Sequence, residues 1–232
     1  MIRRAQLALF LVVAIALTSC GEPYTRPVTT YTVKPGDTVY SIAWRHRMDY
    51  RVLARWNKLP ADYRIEPGQV LRLTAPAGGT VVTGTLPPRP STPPRVPAPP
   101  PIDRSIAAWS WPADGTASVV RHVATSSQGL LILGTEGAPV RAAAAGRVVY
   151  TGSGLRGFGN LLIIKHSNVF LSAYAHNRDV TVKEGEEVAL GQTIALMGLG
   201  PGQKPALYFE IRYNGTPVDP LAYLPRRAGV GL

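Results

Sequence analysis

Residues 205–212 read Pro-Ala-Leu-Tyr-Phe-Glu-Ile-Arg and run into a Tyr-Asn-Gly-Thr turn signal. Side chains alternate between the two faces of a β-strand, so this stretch predicts a strand whose buried face is formed by Leu207, Phe209 and Ile211. The opposite face, which an ordinary strand turns to water, carries Ala206, Tyr208, Glu210 and Arg212. The predicted function of the protein depends on why these four side chains share one face.

The strand belongs to a series of short β-prone segments that are separated by glycine-marked turns at intervals of about 8 to 12 residues. Segments 160–165 and 169–174 flank Ser167-Asn168 as a predicted β-hairpin. On the second segment, alternation predicts one shared face for Phe170, Ser172, Tyr174 and His176. This spacing predicts an all-β sandwich or barrel over residues 107–226.

A second folded module is predicted at residues 30–73, where the pattern reads strand, helix, helix, strand. Asp37 is the expected N-cap of the first helix, whose apolar stripe includes Val39 and Ile42. Asp49 is the expected cap of the second helix. These signals predict a small βααβ domain.

The two modules are joined by a proline-rich linker at residues 74–106, which contains Pro87-Pro88, Pro93-Pro94 and Pro99-Pro100-Pro101. Prolines favour the extended polyproline-II conformation, which rises about 3.1 Å per residue, so the linker has a reach on the order of 90 Å. Such a spacer lets one module stay fixed while the other searches the space around it.

The N-terminus has the three parts of a secretory signal. Two arginines precede an apolar run from Leu7 to Leu17, and this run is too short for a membrane-spanning helix of about 20 residues. Cys20 is the only cysteine, so no disulfide can form within the chain. Residues 17–20, Leu-Thr-Ser-Cys, resemble a bacterial lipobox.

The lipobox resemblance implies a lipoprotein signal peptide over residues 1–19, lipid attached at Cys20 and a lipidated tether over residues 20–29. Gly21 stands where an aspartate would retain a lipoprotein at the inner membrane. The resemblance therefore implies an outer-membrane lipoprotein that faces the periplasm of a Gram-negative bacterium. Each buried methylene of the acyl chains contributes about 0.8 kcal/mol, so several chains hold such a protein stably.

The charge balance is basic, with 25 Lys and Arg against 14 Asp and Glu and a formal net charge of +11. Such a balance is typical of proteins that meet polyanions, among which nucleic acid is common. Export argues against nucleic acid, because a cell-envelope protein meets anionic glycan-peptide polymer and acidic lipid headgroups instead. A soluble basic surface without a polyanionic partner is the alternative that charge alone leaves open.

Residues 31–43, Tyr-Thr-Val-Lys-Pro-Gly-Asp-Thr-Val-Tyr-Ser-Ile-Ala, and residues 65–73, Ile-Glu-Pro-Gly-Gln-Val-Leu-Arg-Leu, resemble a LysM domain. LysM domains bind glycans that contain N-acetylglucosamine, so the resemblance implies peptidoglycan glycan strands as a partner. It implies a shallow groove between two loops, which are formed by Gly36, Asp37 and Thr38 and by Ile65, Glu66, Pro67 and Gly68. The same residue types also form turns and helix caps, and this structural role is compatible with glycan binding.

Several motifs of residues 107–226 resemble the lysostaphin/LytM-type zinc metallopeptidases, which are β-rich enzymes that cut peptidoglycan cross-bridges. They include Gly-Ala-Pro-Val-Arg-Ala-Ala-Ala-Ala-Gly at residues 137–146, Leu-Ser-Ala-Tyr-Ala-His-Asn at residues 171–177, and the opening strand. The resemblance implies the fold of this module and the positions at which a catalytic zinc belongs.

In active relatives a His-x-x-x-Asp pair and the second His of a His-x-His strand hold the zinc, and a catalytic zinc has three protein ligands. Here Ser127 stands at the position of the first His and Leu131 at that of the Asp. Ala206 and Tyr208 replace the His-x-His pair, so that only His176 remains of the five functional residues. The resemblance therefore implies a degenerate peptidase domain with no catalytic residue, no metal and no cofactor.

Other chemistries find little support in the sequence. A zinc site rebuilt from other residues remains an alternative, although His122, His166 and Asp179 show no ligand spacing. A nucleophilic enzyme is disfavoured because the chain has no Gly-x-Ser-x-Gly elbow and its one cysteine is assigned to lipid. A glycosidase needs two carboxylates around one sugar bond, and the weak candidates are Glu210 and Asp219.

The order of lipobox, LysM domain, proline linker and ligand-stripped LytM domain resembles the NlpD-type murein hydrolase activators. This resemblance implies a non-catalytic lipoprotein that binds a periplasmic N-acetylmuramoyl-L-alanine amidase and relieves its autoinhibition during septal murein splitting and daughter-cell separation. The expected docking groove is the degenerate active site, with Tyr208 as its anchor. The groove comprises Ser127, Leu131, His176, Ala206 and Tyr208.

Three alternatives to this function stay open. The chain could be a zinc-dependent murein endopeptidase with a rebuilt site, or a passive tether between outer membrane and peptidoglycan. Alternatively, Leu131 and Tyr208 could merely fill the space that the missing metal leaves.

Overall fold

The computed structural model describes residues 29–76, 106, 108–121 and 128–227. The predicted signal peptide, Cys20, most of the tether and linker, and Ser127 lie outside these residues, so the boundaries assigned to them stay predictions. Within the described ranges, no helix is both long and apolar enough to cross a bilayer.

The N-terminal module has the predicted βααβ order. Its elements are β1 (Thr30–Thr32), α1 (Val39–Arg45), α2 (Tyr50–Trp56) and β2 (Val70–Arg72). The two strands pair antiparallel, with Tyr31 opposite Leu71. Val39 and Ile42 are buried as predicted, and Asp49 caps α2 by accepting a hydrogen bond from the Arg51 amide at 2.8 Å.

The N-cap of α1 is Thr38, so the prediction of Asp37 is wrong. Thr38 Oγ1 accepts from the Ser41 amide at 3.1 Å, and Ser41 Oγ accepts from the Thr38 amide at 3.0 Å, which completes a capping box. Asp37 instead accepts from the Tyr31 hydroxyl at 2.7 Å and from the Lys34 amide at 2.9 Å. The carboxylate therefore holds the β1–α1 loop against β1 rather than the start of the helix.

The C-terminal module is all β, as predicted. Within the described residues its ten strands form one sheet. They are β3 (Thr116–Arg121), β4 (Gln128–Leu133), β5 (Pro139–Arg141), β6 (Gly146–Gly152), β7 (Asn160–Lys165), β8 (Phe170–Val180), β9 (Glu187–Val188), β10 (Thr193–Met197), β11 (Ala206–Tyr213) and β12 (Thr216–Val218). The strand order is β3-β4-β11-β8-β7-β6-β9, β10 pairs with β5 and β8, and β12 pairs with β11. The β7–β8 pair is the predicted hairpin.

Strand β11 lies in the middle of this sheet, between β4 and β8. The predicted alternation is confirmed, because Leu207, Phe209 and Ile211 lie in one core cluster while Tyr208 lies in a second cluster on the other face. The other face is buried as well. Every residue from Ala206 to Arg212 is at most 1% exposed.

His166 follows β7 and links it to its neighbours. Its Nδ1 lies 2.8 Å from the Ala145 carbonyl oxygen and its Nε2 lies 2.7 Å from Ser172 Oγ. The ring also packs edge-on against Trp109, with centroids 4.9 Å apart. Burial lowers the pKa of His166 to about 4, so the imidazole stays neutral in the folded chain.

This burial predicts a pH dependence of stability. The unfolded histidine has a pKa of about 6.5 and binds a proton as the pH falls below that value, whereas the folded one does not. The contribution of His166 to the free energy of unfolding is therefore complete above about pH 6.5 and declines as the pH falls towards 4. The free energy of unfolding, measured with denaturant, should fall less between pH 6.5 and 4 for His166→Gln than for the parent chain. Equal decreases would contradict a buried, neutral His166.

Candidate functional site

Tyr208 lies at the centre of the predicted docking groove. It lies directly opposite Leu131 on β4 and Ala175 on β8. The ring of Phe158 packs edge-on against it, with centroids 6.0 Å apart. Tyr208 is 1% exposed and Leu131 is half-buried, so an aromatic and an aliphatic side chain occupy two predicted metal-ligand positions.

Gly129 makes room for the Tyr208 ring. A Cβ atom at Gly129 would lie 2.8 Å from both Cζ and Oη of Tyr208 and 2.7 Å from the Phe209 carbonyl oxygen. Carbon atoms in proteins do not approach this closely, and the Phe209 backbone is fixed in the sheet. Glycine is therefore required at this position by the side chain that stands across from it.

A row of polar contacts continues from Tyr208 along the same face of β11. The Tyr208 hydroxyl donates to Glu210 Oε2 at 2.7 Å, and Arg212 Nε donates to Glu210 Oε1 at 2.6 Å. Arg212 Nη1 then donates to the carbonyl oxygen of Trp44 in α1 at 3.0 Å. We call Tyr208, Glu210, Arg212 and Trp44 the polar row.

The polar row determines the chemistry that Tyr208 can perform. Burial, and secondly the charge of Glu210, raise the pKa of Tyr208 well above its ordinary value. The phenol therefore stays protonated and donates its hydrogen bond to Glu210. A phenolate that could bind metal or attack a peptide is disfavoured in this environment.

His176 and Ala206 come together at the turn around Gly200. A Cβ atom at Gly200 would lie 3.0 Å from Ala206 Cβ and 3.5 Å from His176 Cδ2. His176 has a φ of 64°, which interrupts the strand alternation, and its amide donates to the Phe158 carbonyl oxygen at 2.9 Å. The period-two pattern thus holds for the earlier residues of β8 but does not place the His176 ring.

The described residues of this site do not fit a catalytic zinc. The ligand positions hold Leu131, which has no donor atom, and Tyr208, whose hydroxyl is directed to Glu210. Ala206 supplies no proton-transfer group. Across the described part of the chain, no three His, Cys, Asp or Glu side chains form a group that could hold a metal ion.

The two predicted glycan loops of the N-terminal module are adjacent. The Gly68 amide donates to the Val33 carbonyl oxygen at 2.8 Å, which ties the second loop to the chain that leads into the first. Gly36 and Gly68 have φ values of 79° and 88°, and both face open space. Gly36, Glu66, Pro67 and Gly68 are exposed, whereas Asp37, Thr38 and Ile65 are half-buried.

Asp37, Thr38 and Ile65 line a cavity of about 490 Å³ between the modules. Arg147 and Lys165 line its other side. Burial and the nearby arginines lower the pKa of Lys165, whose Nζ lies 5.6 Å from the centroid of the Tyr50 ring. The structure therefore brings three of the seven predicted loop residues next to cationic side chains of the other module.

Comparison with known proteins agrees with this architecture. Residues 125–220 match Peptidase family M23, and residues 31–74 match the LysM domain. The Pseudomonas aeruginosa protein named Lipoprotein NlpD/LppB homolog is 42% identical over 236 residues, which cover 87% of this chain and 79% of that protein. The Murein hydrolase activator NlpD of Salmonella typhimurium is 36% identical over 261 residues, which cover 86% of this chain and 69% of that protein.

The chain belongs to the NlpD family of lipoproteins. A solved structure is also similar to it, namely the catalytic domain of the antimicrobial peptidase lysostaphin from Staphylococcus simulans, at 25% identity with a TM-score of 0.41. That match covers 49% of this chain and 88% of the lysostaphin domain. The two family matches and the two relatives confirm the predicted family and the predicted order of a LysM domain and an M23-type all-β domain.

The sequence did not predict the packing role of three residues at this site in the NlpD-family chain. Gly129, Phe158 and Trp44 shape or cover the Tyr208 face, but none carries a chemical signal of its own. Glu210 and Arg212 did carry a signal, because two charges on one face of a central strand need a buried partner or a cover. The cover is the LysM domain.

Gly129→Ala provides a test of the Tyr208 environment. We expect this NlpD-family chain to lose about 1 to 3 kcal/mol of unfolding free energy, because the added methyl group overpacks against a ring and a fixed carbonyl. Gly154→Ala is the matched control, since its Cβ would meet only the Tyr150 hydroxyl at 3.3 Å. Equal stability of the two variants in thermal or denaturant unfolding would contradict the packing described above.

Proposed function

We propose that this chain is a non-catalytic activator of a periplasmic N-acetylmuramoyl-L-alanine amidase, acting in septal murein splitting and daughter-cell separation. The observation that carries the proposal is the pairing of Tyr208 with Leu131 across β11 and β4. It replaces a metal site with an aromatic and aliphatic surface in a chain whose Salmonella relative is named a murein hydrolase activator.

The docking face is the degenerate site with its surroundings: Ser127, Leu131, His176, Ala206 and Tyr208. Aromatic side chains with one polar atom are favoured at the centres of protein interfaces, where the ring is buried and the hydroxyl keeps a partner. Leu131 and His176 are half-buried members of this face, whereas Tyr208 is 1% exposed.

Activation on this proposal is a shift between two states of the amidase. One state has its own blocking segment over the active site and the other does not. The activator binds the open state more tightly, and only this difference in affinity moves the balance. No bond is made or broken on the activator itself.

The remaining modules hold the activator at the cell wall. Lipid at Cys20 anchors it to the outer membrane on the periplasmic side, and the LysM domain binds peptidoglycan glycan strands. The loops Gly36–Thr38 and Ile65–Gly68 form the sugar groove, where backbone groups of the exposed turns bind acetamido and hydroxyl groups. The activator thus acts where membrane and wall are close together.

A stimulation assay on labelled murein tests the activator role. The mature chain should raise the rate of a cognate amidase, and Leu131→Arg should reduce this stimulation by about tenfold or more, because a charge would be buried at the interface. Val119→Arg is the control, since Val119 is exposed on β3 and lies opposite Leu130 rather than Leu131.

Other outcomes of the same assay identify the alternatives. Murein released by the chain alone, together with about one equivalent of zinc in metal analysis, would mean a peptidase. Unchanged amidase rates with the parent chain would leave a passive tether between outer membrane and wall.

A sedimentation assay with purified murein sacculi tests the glycan loops. Ile65→Glu should lower the bound fraction several-fold, because an added charge faces neutral sugar in the groove. Val70→Glu serves as the control, since Val70 is 62% exposed and lies outside both loops. Equal sedimentation of the two variants would place the sugar site elsewhere.

A further inference from the structure

The LysM domain lies on the face of the C-terminal sheet that contains Tyr208. The guanidinium carbon of Arg212 lies 3.6 Å from the centroid of the Trp44 ring, and Arg212 Nη1 donates to the Trp44 carbonyl oxygen at 3.0 Å. A guanidinium stacked on an indole away from water is among the stronger cation–π arrangements. The polar row of β11 therefore ends on a LysM side chain.

Apolar residues of both modules lie in one buried cluster around this contact. The LysM side includes Ile42 and Leu53, and the sheet side includes Ile163, Ala173 and Tyr208. Helix α1 packs against β6. The LysM domain thus packs against the part of the proposed docking face that Tyr208 and Leu131 form.

Hydrogen bonds from the LysM helices also reach the C-terminal module at the rim of this contact. The Tyr50 hydroxyl donates to the Asn168 carbonyl oxygen at 3.2 Å. Arg45 Nη2 donates to the Gly154 carbonyl oxygen at 3.3 Å. These bonds attach both LysM helices to loops of the C-terminal module.

The turn between β11 and β12 also fits closely against the LysM domain. A Cβ atom at Gly215 would lie 2.6 Å from the Asp49 nitrogen and 2.7 Å from its Cα, so the two backbones nearly touch there. A methyl group added here would therefore force the Gly215 turn and the Asp49 backbone apart.

The composition of the interface between the LysM domain and the sheet is compatible with reversible dissociation. Glu210 and Arg212 are 0% and 1% exposed at its centre, whereas permanent interfaces have apolar cores. A buried ion pair contributes little net stability, because both charges regain water when the cover moves away. The linker of residues 74–106 permits this separation, since the entropy of closing a long loop varies only slowly with its length.

We propose that the LysM domain is a built-in inhibitor of this activator, and that the amidase-docking face is available only after the LysM domain has left it. This inference rests on the proposed activator function and adds its regulation. The apparent affinity of the chain for an amidase is then its intrinsic affinity multiplied by the fraction of open chains. By reciprocity, a bound amidase holds the LysM domain away from the sheet.

A clash at Gly215 tests this regulation without touching the docking face. Gly215→Ala in the mature full chain places a methyl group against the Asp49 backbone and so disfavours the closed state. Gly202→Ala is the matched control, because Gly202 also has a positive φ, of 70° against 76°, but has nothing within 4 Å of the added atom. Both variants carry the same backbone strain, and only one of them separates the modules.

We expect two results for Gly215→Ala relative to Gly202→Ala. The radius of gyration in solution scattering should rise. Amidase stimulation at sub-saturating activator should rise by about threefold to tenfold, because it follows the open fraction. A second pair of variants, Gly215→Lys and Gly202→Lys, repeats the comparison with a longer side chain, which a small shift of the Asp49 backbone cannot accommodate.

The outcomes separate this inference from the activator function. If the parent chain stimulates the amidase and the opened Gly215 variants stimulate it no better, the LysM domain is not an inhibitor, while the activator function stands. If scattering is unchanged in both Gly215 variants, the closed arrangement is not the resting state and the inference fails. If neither the parent nor the opened variants stimulate any amidase, the activator function itself fails.

Discussion

The buried pair of Glu210 and Arg212 constrains the whole arrangement. A carboxylate with no exposed surface in the middle of a sheet must be neutralised and hydrogen-bonded, and loss of one partner of such a pair typically costs about 3 to 5 kcal/mol. Tyr208 on one side and Arg212 on the other supply those bonds. Arg212 in turn needs a cover, which Trp44 provides. The identity of Tyr208 and the position of the LysM domain are thus linked through one carboxylate.

This linkage gives the predicted degenerate site a structural role, because its central residue is bonded to the pair that the LysM domain covers. Leu131 and Tyr208 stand at predicted metal-ligand positions, and they form part of an apolar layer on which the LysM domain packs. In the closed chain the Tyr208 ring fills its own cleft, with Gly129 making the space. On the proposed regulation, a partner that displaces the LysM domain meets the same apolar layer, in which Glu210 and Arg212 remain paired with each other.

Most of the fold could be predicted from the sequence, because the features that determine it are local. Strict alternation in β11, the turn signals of the β7–β8 hairpin and the cap at Asp49 are local properties, and each appears in the structure. Both Asp37 and Thr38 are residue types that cap helices; Thr38 forms the capping box with Ser41, while Asp37 is held by the Tyr31 hydroxyl and the Lys34 amide. The positive φ of His176 and the cover over β11 depend on distant residues, so no local pattern could predict them.

The most direct measurement is the distance between the two modules with and without an amidase. Spin labels at Arg55 and Lys204, both exposed, in a chain without Cys20 would report it by pulsed dipolar spectroscopy. We predict one narrow distance for the free chain and a longer, broader distribution once the amidase is bound. An unchanged narrow distance in a chain that demonstrably binds its amidase would contradict the account, because the docking face would then lie elsewhere.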